Sequence, residues 1–226
     1  MNLIINLFFI VCAGVVTMLT LNIINILQAG SRKPDGRSME QILGVEPEKA
    51  AYDDIEKLSR KEKMQLFYAA SVPDFTKIHG EYQARLLSGG VLGSSSAYFT
   101  HHVFPTGKPT FKTEWVGKGF QSNGENRGIG YNIFIERTGN STNTRRLRKI
   151  STSMAPTKIG RDRKLSFQID YSKLNSDVIH SMRDEVRQIN ENLYIGAGYM
   201  TLGGGSLNPA PFALIGPPRP WVGADF

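Results

Sequence analysis

The first long run of the sequence, Leu3 to Leu27, contains no charged residue. As an α-helix that rises about 1.5 Å per residue, this run is roughly 37 Å long, enough to cross a hydrocarbon core of about 30 Å. A chain that carries such a helix places its other residues beside a membrane surface. The sequence therefore predicts a single-pass transmembrane anchor over residues 1–30.

A cleaved signal peptide is the alternative to a permanent anchor. Signal peptides combine a basic leading region, an apolar core of about 7–15 residues and small residues at the cleavage site. Here no Lys or Arg precedes the apolar run, the run is longer, and Gln28-Ala29-Gly30 is a poor cleavage sequence. These three features favour an anchor that stays in the membrane.

The flanks of the anchor predict its orientation. Arg32, Lys33 and Arg37 follow the apolar run, and basic residues stay on the cytoplasmic side of a membrane. We therefore expect the N-terminus outside and the C-terminal domain on the cytoplasmic, stromal or matrix side. The only cysteine, Cys12, lies inside the span, so the domain is predicted to hold no disulfide, as suits a reducing compartment.

Residues 31–77 have the sequence of a linker followed by short helices. Ser38 and Ser59 are typical helix N-caps, and Glu62 completes a capping box with Ser59. Pro47 suits a first helical turn, and Pro73 ends the helical region. We expect these helices to form a collar between the membrane and the following domain, or to close one end of that domain.

Residues 78–202 consist of short runs rich in β-branched and aromatic residues, with turn residues between most of them. Such a pattern favours an antiparallel barrel or sandwich over an α/β sheet, which needs helices between its strands. In the run from Lys164 to Tyr171 the odd positions are predicted to face a core and the even positions water. The predicted strands are Glu81–Leu87, Ala97–Phe104, Thr110–Val116, Lys118–Ser122, Gly130–Arg137, Arg145–Ser153, Lys164–Tyr171, Glu185–Ile189 and Leu193–Leu202.

Residues 203–226 form a tail rich in Pro and Gly. Three consecutive glycines and five prolines predict an extended segment without regular structure, with polyproline II conformation at Pro217 to Pro220. Because Trp221 and several aliphatic residues lie in this tail, we expect it to pack along the domain or against a partner.

Aromatic residues fall one or two to a predicted strand. In a closed barrel of about eight strands, inward side chains either fill the interior or line a cavity for one small apolar ligand, and the pattern leaves both outcomes open. If a cavity exists, the predicted ligand-binding residues are Tyr82, Tyr98, Phe120, Tyr131, Phe167 and Tyr194.

Two further features suggest contacts with a membrane or a protein partner. Nine basic residues lie between Arg137 and Lys164 against Asp162 alone, which suits anionic lipid headgroups or an acidic protein, although a solvated loop has the same composition. Nucleic acid is not expected, since no aromatic residues interleave the cluster. A patch of small residues on the anchor would let another helix approach closely. The predicted docking residues are Ala13, Gly14, Thr17, Arg145, Arg146, Arg148, Lys149 and Trp221.

No motif predicts a catalytic residue, a metal site or a cofactor. His101 and His102 are adjacent in a predicted strand, so their side chains should point to opposite faces and cannot bind one metal together. No serine lies in a G-x-S-x-G sequence, and no glycine-rich run is followed by GK[ST]. Binding is therefore favoured over catalysis, and an enzyme acting on membrane lipids remains a third, unsupported reading.

The segment from Pro73-Asp74-Phe75 into Gly80-Glu81-Tyr82 resembles the opening of lipocalin-like barrels of the calycin group, in which a helical lead-in precedes a first strand with Gly-x-aromatic. Tyr82 stands where that family usually has Trp. The resemblance spans about residues 74–202, and it implies a cup for a hydrophobic small molecule without any catalytic residue.

The sequence thus predicts a mainly β protein with an N-terminal transmembrane helix, a short helical collar, one antiparallel lipocalin-like barrel and a Pro/Gly-rich tail. The leading hypothesis for its function is binding of an apolar small molecule, such as a lipid, quinone or pigment. The alternative is a non-catalytic accessory subunit of a larger photosynthetic or respiratory membrane complex, with membrane proteins as partners.

Overall fold

The structure is a computed structural model that describes residues 2–87, 89–110 and 112–225. Its first element is the long helix α1 (Asn2–Ala29). Residues Ile5–Ala29 are long and apolar enough to cross a membrane, by length and composition. The side chains from Ile5 to Leu19 are mostly exposed, so this part of α1 projects away from the rest of the chain.

Three short helices follow, namely α2 (Met39–Leu43), α3 (Tyr52–Glu56) and α4 (Arg60–Ala69). The predicted caps are confirmed: Ser38 caps α2, and Ser59 forms a capping box with Glu62 at the start of α4. Pro47 begins a 3-10 turn, as its position predicted. A second 3-10 turn, Phe75–Lys77, leads into the first strand.

Eight antiparallel strands form a closed barrel in which each strand pairs with the next in sequence and the last pairs with the first. This architecture confirms the predicted fold class. It is also the architecture that the lipocalin-like resemblance implied. The strands are β1 (Gly80–Leu86), β2 (Thr113–Ser122), β3 (Gly128–Thr138), β4 (Ser141–Pro156), β5 (Leu165–Asp170), β6 (Arg183–Asn190), β7 (Leu193–Tyr199) and β8 (Ala210–Arg219).

The predicted strand Ala97–Phe104 is wrong. This segment belongs to helix α5 (Gly93–Tyr98), which continues as a π-helical turn over Phe99–Val103. Its aromatic and β-branched residues suggested a strand, but Phe99 and Phe104 instead pack onto the core inside the barrel from a helical backbone. The tertiary contacts therefore outweigh the local propensity.

The expectation that the tail has no regular structure is also wrong, because its middle part, Ala210–Arg219, is strand β8. Phe212 and Leu214 face the interior of the barrel, while Ala213 and Ile215 face the outer wall. This alternation is that of an ordinary strand. Prolines flank the alternating stretch on both sides, at Pro211 and at Pro217. Strand β8 pairs with β7 on one side and β1 on the other, so it closes the barrel.

The residues that the structure describes form two apolar cores, one inside the barrel and one between its outer wall and the short helices. Helix α4 covers the wall formed by β6, β7 and β8. There the fully buried Arg187 donates hydrogen bonds to the carbonyls of Phe67 and Tyr68 and pairs with Asp162. Helix α4 therefore packs against the outer wall of the barrel and stabilises it.

One end of the barrel interior is closed by aromatic packing. Phe75, in the turn before β1, contacts the ring of Phe167 with centroids 5.4 Å apart. Three of the four odd positions, Phe167, Ile169 and Tyr171, are buried, as the alternation predicted, but Leu165 at the start of β5 is 43% exposed, so the prediction is wrong there. The even position Ser166 is buried too, because it lies under outer-wall contacts and donates to Glu185.

Candidate ligand-binding site

A cavity of about 510 Å³ lies at the other, open end of the barrel. Most of its wall comes from the barrel interior, helix α5 with its π-helical turn, and the C-terminal half of α1. The segment between β7 and β8 and the turn before β6 complete it. Met18 and Leu202 line it and are 58% and 82% exposed, so the cavity opens to the outside at this end. The opening lies directly beside the apolar helix.

Asparagine side chains hold the end of α1 over this opening. The Asn25 amide donates to Asn208 Oδ1 at 2.6 Å, and the Asn208 amide donates to Asn22 Oδ1 at 3.0 Å. The backbone N–H of Leu92 donates to Asn25 Oδ1 at 3.3 Å, which joins the loop before α5 to the same helix end. Arg60 at the start of α4 donates to the carbonyls of Asn25 and Pro209. The wall that α1 contributes is therefore fixed relative to the barrel.

A buried ion pair lies at the floor of the cavity. Lys118 on β2 and Asp184 on β6 both line the cavity, and their side chains are each 1% exposed. Lys118 Nζ lies 2.8 Å from Asp184 Oδ2 and donates to Asn132 Oδ1 at 2.7 Å and to the Tyr171 hydroxyl at 2.6 Å. The three ammonium protons thus have three acceptors, so the charge is fully compensated.

Neighbouring polar groups complete this network. Trp115 Nε1 donates to Asn132 Oδ1 at 3.1 Å, and the Tyr171 hydroxyl donates to Asp184 Oδ2 at 2.9 Å. The rings of Trp115, Tyr171 and Phe212 lie 5.3–5.5 Å from Lys118 Nζ, within the range of cation–π attraction. An apolar cavity therefore ends at a compact polar floor.

Burial changes the acid–base properties of this floor. Burial lowers the pKa of Lys118, and the adjacent Asp184 carboxylate opposes that shift. The pKa of Tyr171 is raised well above its usual value, mainly by burial and secondly by the negative charge of Asp184. The phenol of Tyr171 therefore stays protonated and available as a donor at neutral pH.

The two carboxylate oxygens of Asp184 differ in their surroundings. Oδ2 accepts from Lys118 and Tyr171, whereas Oδ1 is buried and has no hydrogen-bond donor among the residues that the structure describes. Oδ1 lies beside Gly198 on the paired strand β7, and Gly198 also lines the cavity.

Four of the six residues predicted to bind a ligand fill the closed end of the barrel instead of lining the cavity. The ring centroid of Tyr82 lies 6.1 Å from the ring centroid of Phe120 and 5.6 Å from that of Tyr194. The ring centroids of Phe120 and Phe167 are 5.2 Å apart. All four side chains are buried. They form a packed layer beneath the ion pair.

The other two predicted ligand-binding residues lie outside the barrel interior. Tyr131 points to the outer wall, where its ring packs on Trp221 with centroids 4.5 Å apart and its hydroxyl donates to Glu81 at 2.7 Å. It faces outward because Asn132 and Phe134 occupy the inward positions of β3. Tyr98 is in helix α5, is 44% exposed and packs against His102.

The predicted docking residues fall into two groups. Arg145, Arg146 and Arg148 make ion pairs within the chain, to Glu136 and Asp225, to Glu81, and to Asp177 respectively. Trp221 covers Tyr131. In contrast, Lys149 and the anchor patch of Ala13, Gly14 and Thr17 are exposed, and a methyl group added at Gly14 would meet nothing within 4 Å.

The two adjacent histidines lie in the π-helical turn, so the expected strand geometry does not apply to them. His101 Nδ1 accepts a hydrogen bond from the backbone N–H of Trp115 at 3.1 Å. Burial lowers the pKa of His101, partly offset by Glu114. The neutral ring thus holds the helical segment to β2 at the edge of the cavity.

Sequence reasoning missed the floor residues Lys118, Asn132, Tyr171 and Asp184. A signal for two of them was present: Phe120 follows Lys118 by two positions and Val186 follows Asp184 by two, so each charged residue shares the inward face of its strand with an apolar residue. A charged residue at a core-facing position usually has a buried partner.

A comparison of the chain with protein families, curated proteins and solved structures found no match in any of the three.

Proposed function

We propose that this protein is a membrane-tethered barrel that binds an apolar small molecule in the cavity at its open end. The observation that carries the proposal is that one wall of this cavity belongs to the apolar helix α1, while most of the remaining wall belongs to the barrel and α5. A ligand that dissolves in the bilayer would find the opening beside the helix that anchors the protein there.

Size and lining support this function. Cavities that hold small ligands are typically about 300–1,000 Å³ and apolar, with few polar groups to orient the ligand. A cavity of about 510 Å³ lies in this range. Leu86, Phe99, Trp115 and Phe212 supply apolar surface, and the Lys118–Asp184 pair supplies polarity at one point.

The proposal includes the membrane topology and the relationship to lipocalin-like barrels. Arg32, Lys33 and Arg37 after α1 favour a barrel on the cytoplasmic, stromal or matrix side. The eight-stranded closed barrel supports a calycin-like use of the fold, with a small molecule held at the open end.

A role as an accessory subunit of a membrane complex is the less favoured proposal. Three of the arginines that would dock a partner already make ion pairs within the chain. The exposed anchor patch of Ala13, Gly14 and Thr17 is compatible with a partner helix but identifies none.

The binding function is tested by filling the cavity. Ser96 on α5 lines the cavity, while Ser94 in the same helix is exposed and does not line it. The full chain and its Ser96→Phe and Ser94→Phe variants would be purified from native membranes in mild detergent, and co-purifying apolar compounds quantified by mass spectrometry.

We expect a near-stoichiometric compound on the unmodified chain and on Ser94→Phe, and roughly tenfold less on Ser96→Phe, equivalent to about 1.4 kcal/mol of binding free energy. Equal amounts of the compound on both variants, or none on the unmodified chain, would contradict a ligand in this cavity.

A further inference from the structure

The floor of the cavity contains one polar atom that has no hydrogen-bond donor among the described residues. Asp184 Oδ1 is buried in a side chain that is 1% exposed, and no described residue donates a hydrogen bond to it. An unpaired buried acceptor typically costs about 1–3 kcal/mol, and more when the group is charged. A ligand that donates a hydrogen bond at this point would remove that cost.

The charge balance at the floor restricts the class of donor. Lys118 neutralises the Asp184 carboxylate, with Nζ 2.8 Å from Oδ2, so the pair has no net charge. A cationic ligand would therefore bring an uncompensated charge into an apolar cavity, which is costly. An anionic carboxylate has no proton to donate, and it would face Oδ1 with like charge. A neutral hydroxyl meets both requirements.

We propose that the ligand is a neutral amphiphilic alcohol, whose apolar body fills the cavity and whose hydroxyl donates to Asp184 Oδ1. This inference rests on the proposed binding function and specifies the class of its ligand. The hydroxyl lies at the floor, between β6 and β7, and the apolar body extends past Phe99 and Phe212 toward α1.

The first test compares ligands with one carbon skeleton and different polar ends. The probes are cetyl alcohol, cetyl methyl ether and cetylamine, added to the delipidated full chain in detergent. The Trp221→Phe variant leaves Trp115, which lines the cavity, as the only tryptophan, so its fluorescence reports binding. We expect the alcohol to bind at least about tenfold more tightly than either the ether or the amine, as a hydrogen bond to a charged group predicts.

The second test covers Oδ1 without removing the ion pair. A Cβ added at Gly198 would lie 2.6 Å from Asp184 Oδ1 and 3.6 Å from Cγ, so Gly198→Ala places a methyl group at the atom that the hydroxyl needs. Gly93→Ala is the matched control, because its added methyl group meets nothing within 4 Å and Gly93 does not line the cavity. Gly198→Ala should abolish the preference for alcohol over ether, and Gly93→Ala should retain it.

The outcomes separate this inference from the function on which it rests. Alcohol, ether and amine binding with equal affinity would overturn the hydroxyl inference and leave an apolar-binding cavity. Failure of all three probes to bind, with no co-purifying compound, would overturn both. Should Gly198→Ala fail to fold, the comparison of probes on the unmodified cavity still decides the question.

Discussion

At the scale of single residues, the ion pair of Lys118 and Asp184 is the least expected feature of the chain. Both side chains are 1% exposed, and removing two charges from water costs several kcal/mol for each ion. Asn132 and Tyr171 offset part of that cost, since each accepts a hydrogen bond from Lys118. A buried pair of this kind adds little net stability when intact, but it is costly to break.

Lys118→Met tests this asymmetry. The substitution leaves Asp184 buried without its counter-ion, so we expect the free energy of unfolding of the detergent-solubilised chain to fall by about 3–5 kcal/mol. The double variant Lys118→Met/Asp184→Leu removes both charges and should recover most of that loss. Urea unfolding followed by circular dichroism measures all three proteins. A single variant as stable as the unmodified chain would show that the pair is not buried as described.

Residue types predicted the helix caps well, but they did not predict which residues form the floor of the cavity. The caps at Ser38 and Ser59 depend on neighbours three positions away, so local sequence contains the whole signal. The floor of the cavity combines residues from β2, β3, the end of β5 and β6, with Tyr171 directly after β5. These residues are up to 66 positions apart, from Lys118 to Asp184, and only the barrel register brings them together.

At the scale of elements, β8 explains why the tail is more apolar than a disordered segment. Because of its prolines, the tail was predicted to have no regular structure, yet it contains a strand. Phe212 and Leu214 of this strand complete the interior of the barrel. Proline removes a backbone donor and is usually confined to strand edges and ends. Here Pro217 and Pro218 lie near the end of β8, where its pairing with β1 is irregular.

Two truncations separate β8 from the residues that follow it. Removing residues 221–226 takes away the Trp221 ring over Tyr131 and the Asp225 contacts of Arg145 and Arg146, but it leaves all eight strands. We expect a folded barrel that has lost about 1–3 kcal/mol, which lowers Tm by about 2–4 °C for each kcal/mol. Removing residues 209–226 deletes β8 and opens the barrel.

Circular dichroism and thermal unfolding distinguish the two truncations. The shorter deletion should keep the β spectrum and one cooperative transition, and the longer deletion should lose both. A folded, cooperative chain after removal of residues 209–226 would contradict the role of β8 in closing the barrel.

At the scale of the whole molecule, the apolar helix α1 and the cavity are parts of one structure. The asparagines of α1 bind Asn208 before β8 and Leu92 before α5, so the helix end, the strand and the helical segment meet at the opening. The hydropathy of the sequence predicted the long helix. The alternation of residue types in the strands predicted the β domain. Neither could predict that the two share a cavity wall, because that depends on long-range contacts between side chains.

This shared wall predicts where lipid reaches the protein. In bilayer nanodiscs that contain lipids with brominated acyl chains, bromine quenches the fluorescence of any tryptophan that the chains can approach. Trp115 lines the cavity beside α1, whereas Trp221 lies on the outer wall against Tyr131. The Trp221→Phe variant reports on Trp115 alone, and Trp115→Phe reports on Trp221 alone.

We expect stronger quenching of Trp115, although its side chain is buried, because acyl chains enter through the opening. Filling the cavity with Ser96→Phe in the Trp221→Phe background should reduce that quenching, and Ser94→Phe should not. Quenching of Trp115 no stronger than that of Trp221 would mean that the opening does not face the bilayer, and a ligand would then have to arrive through water.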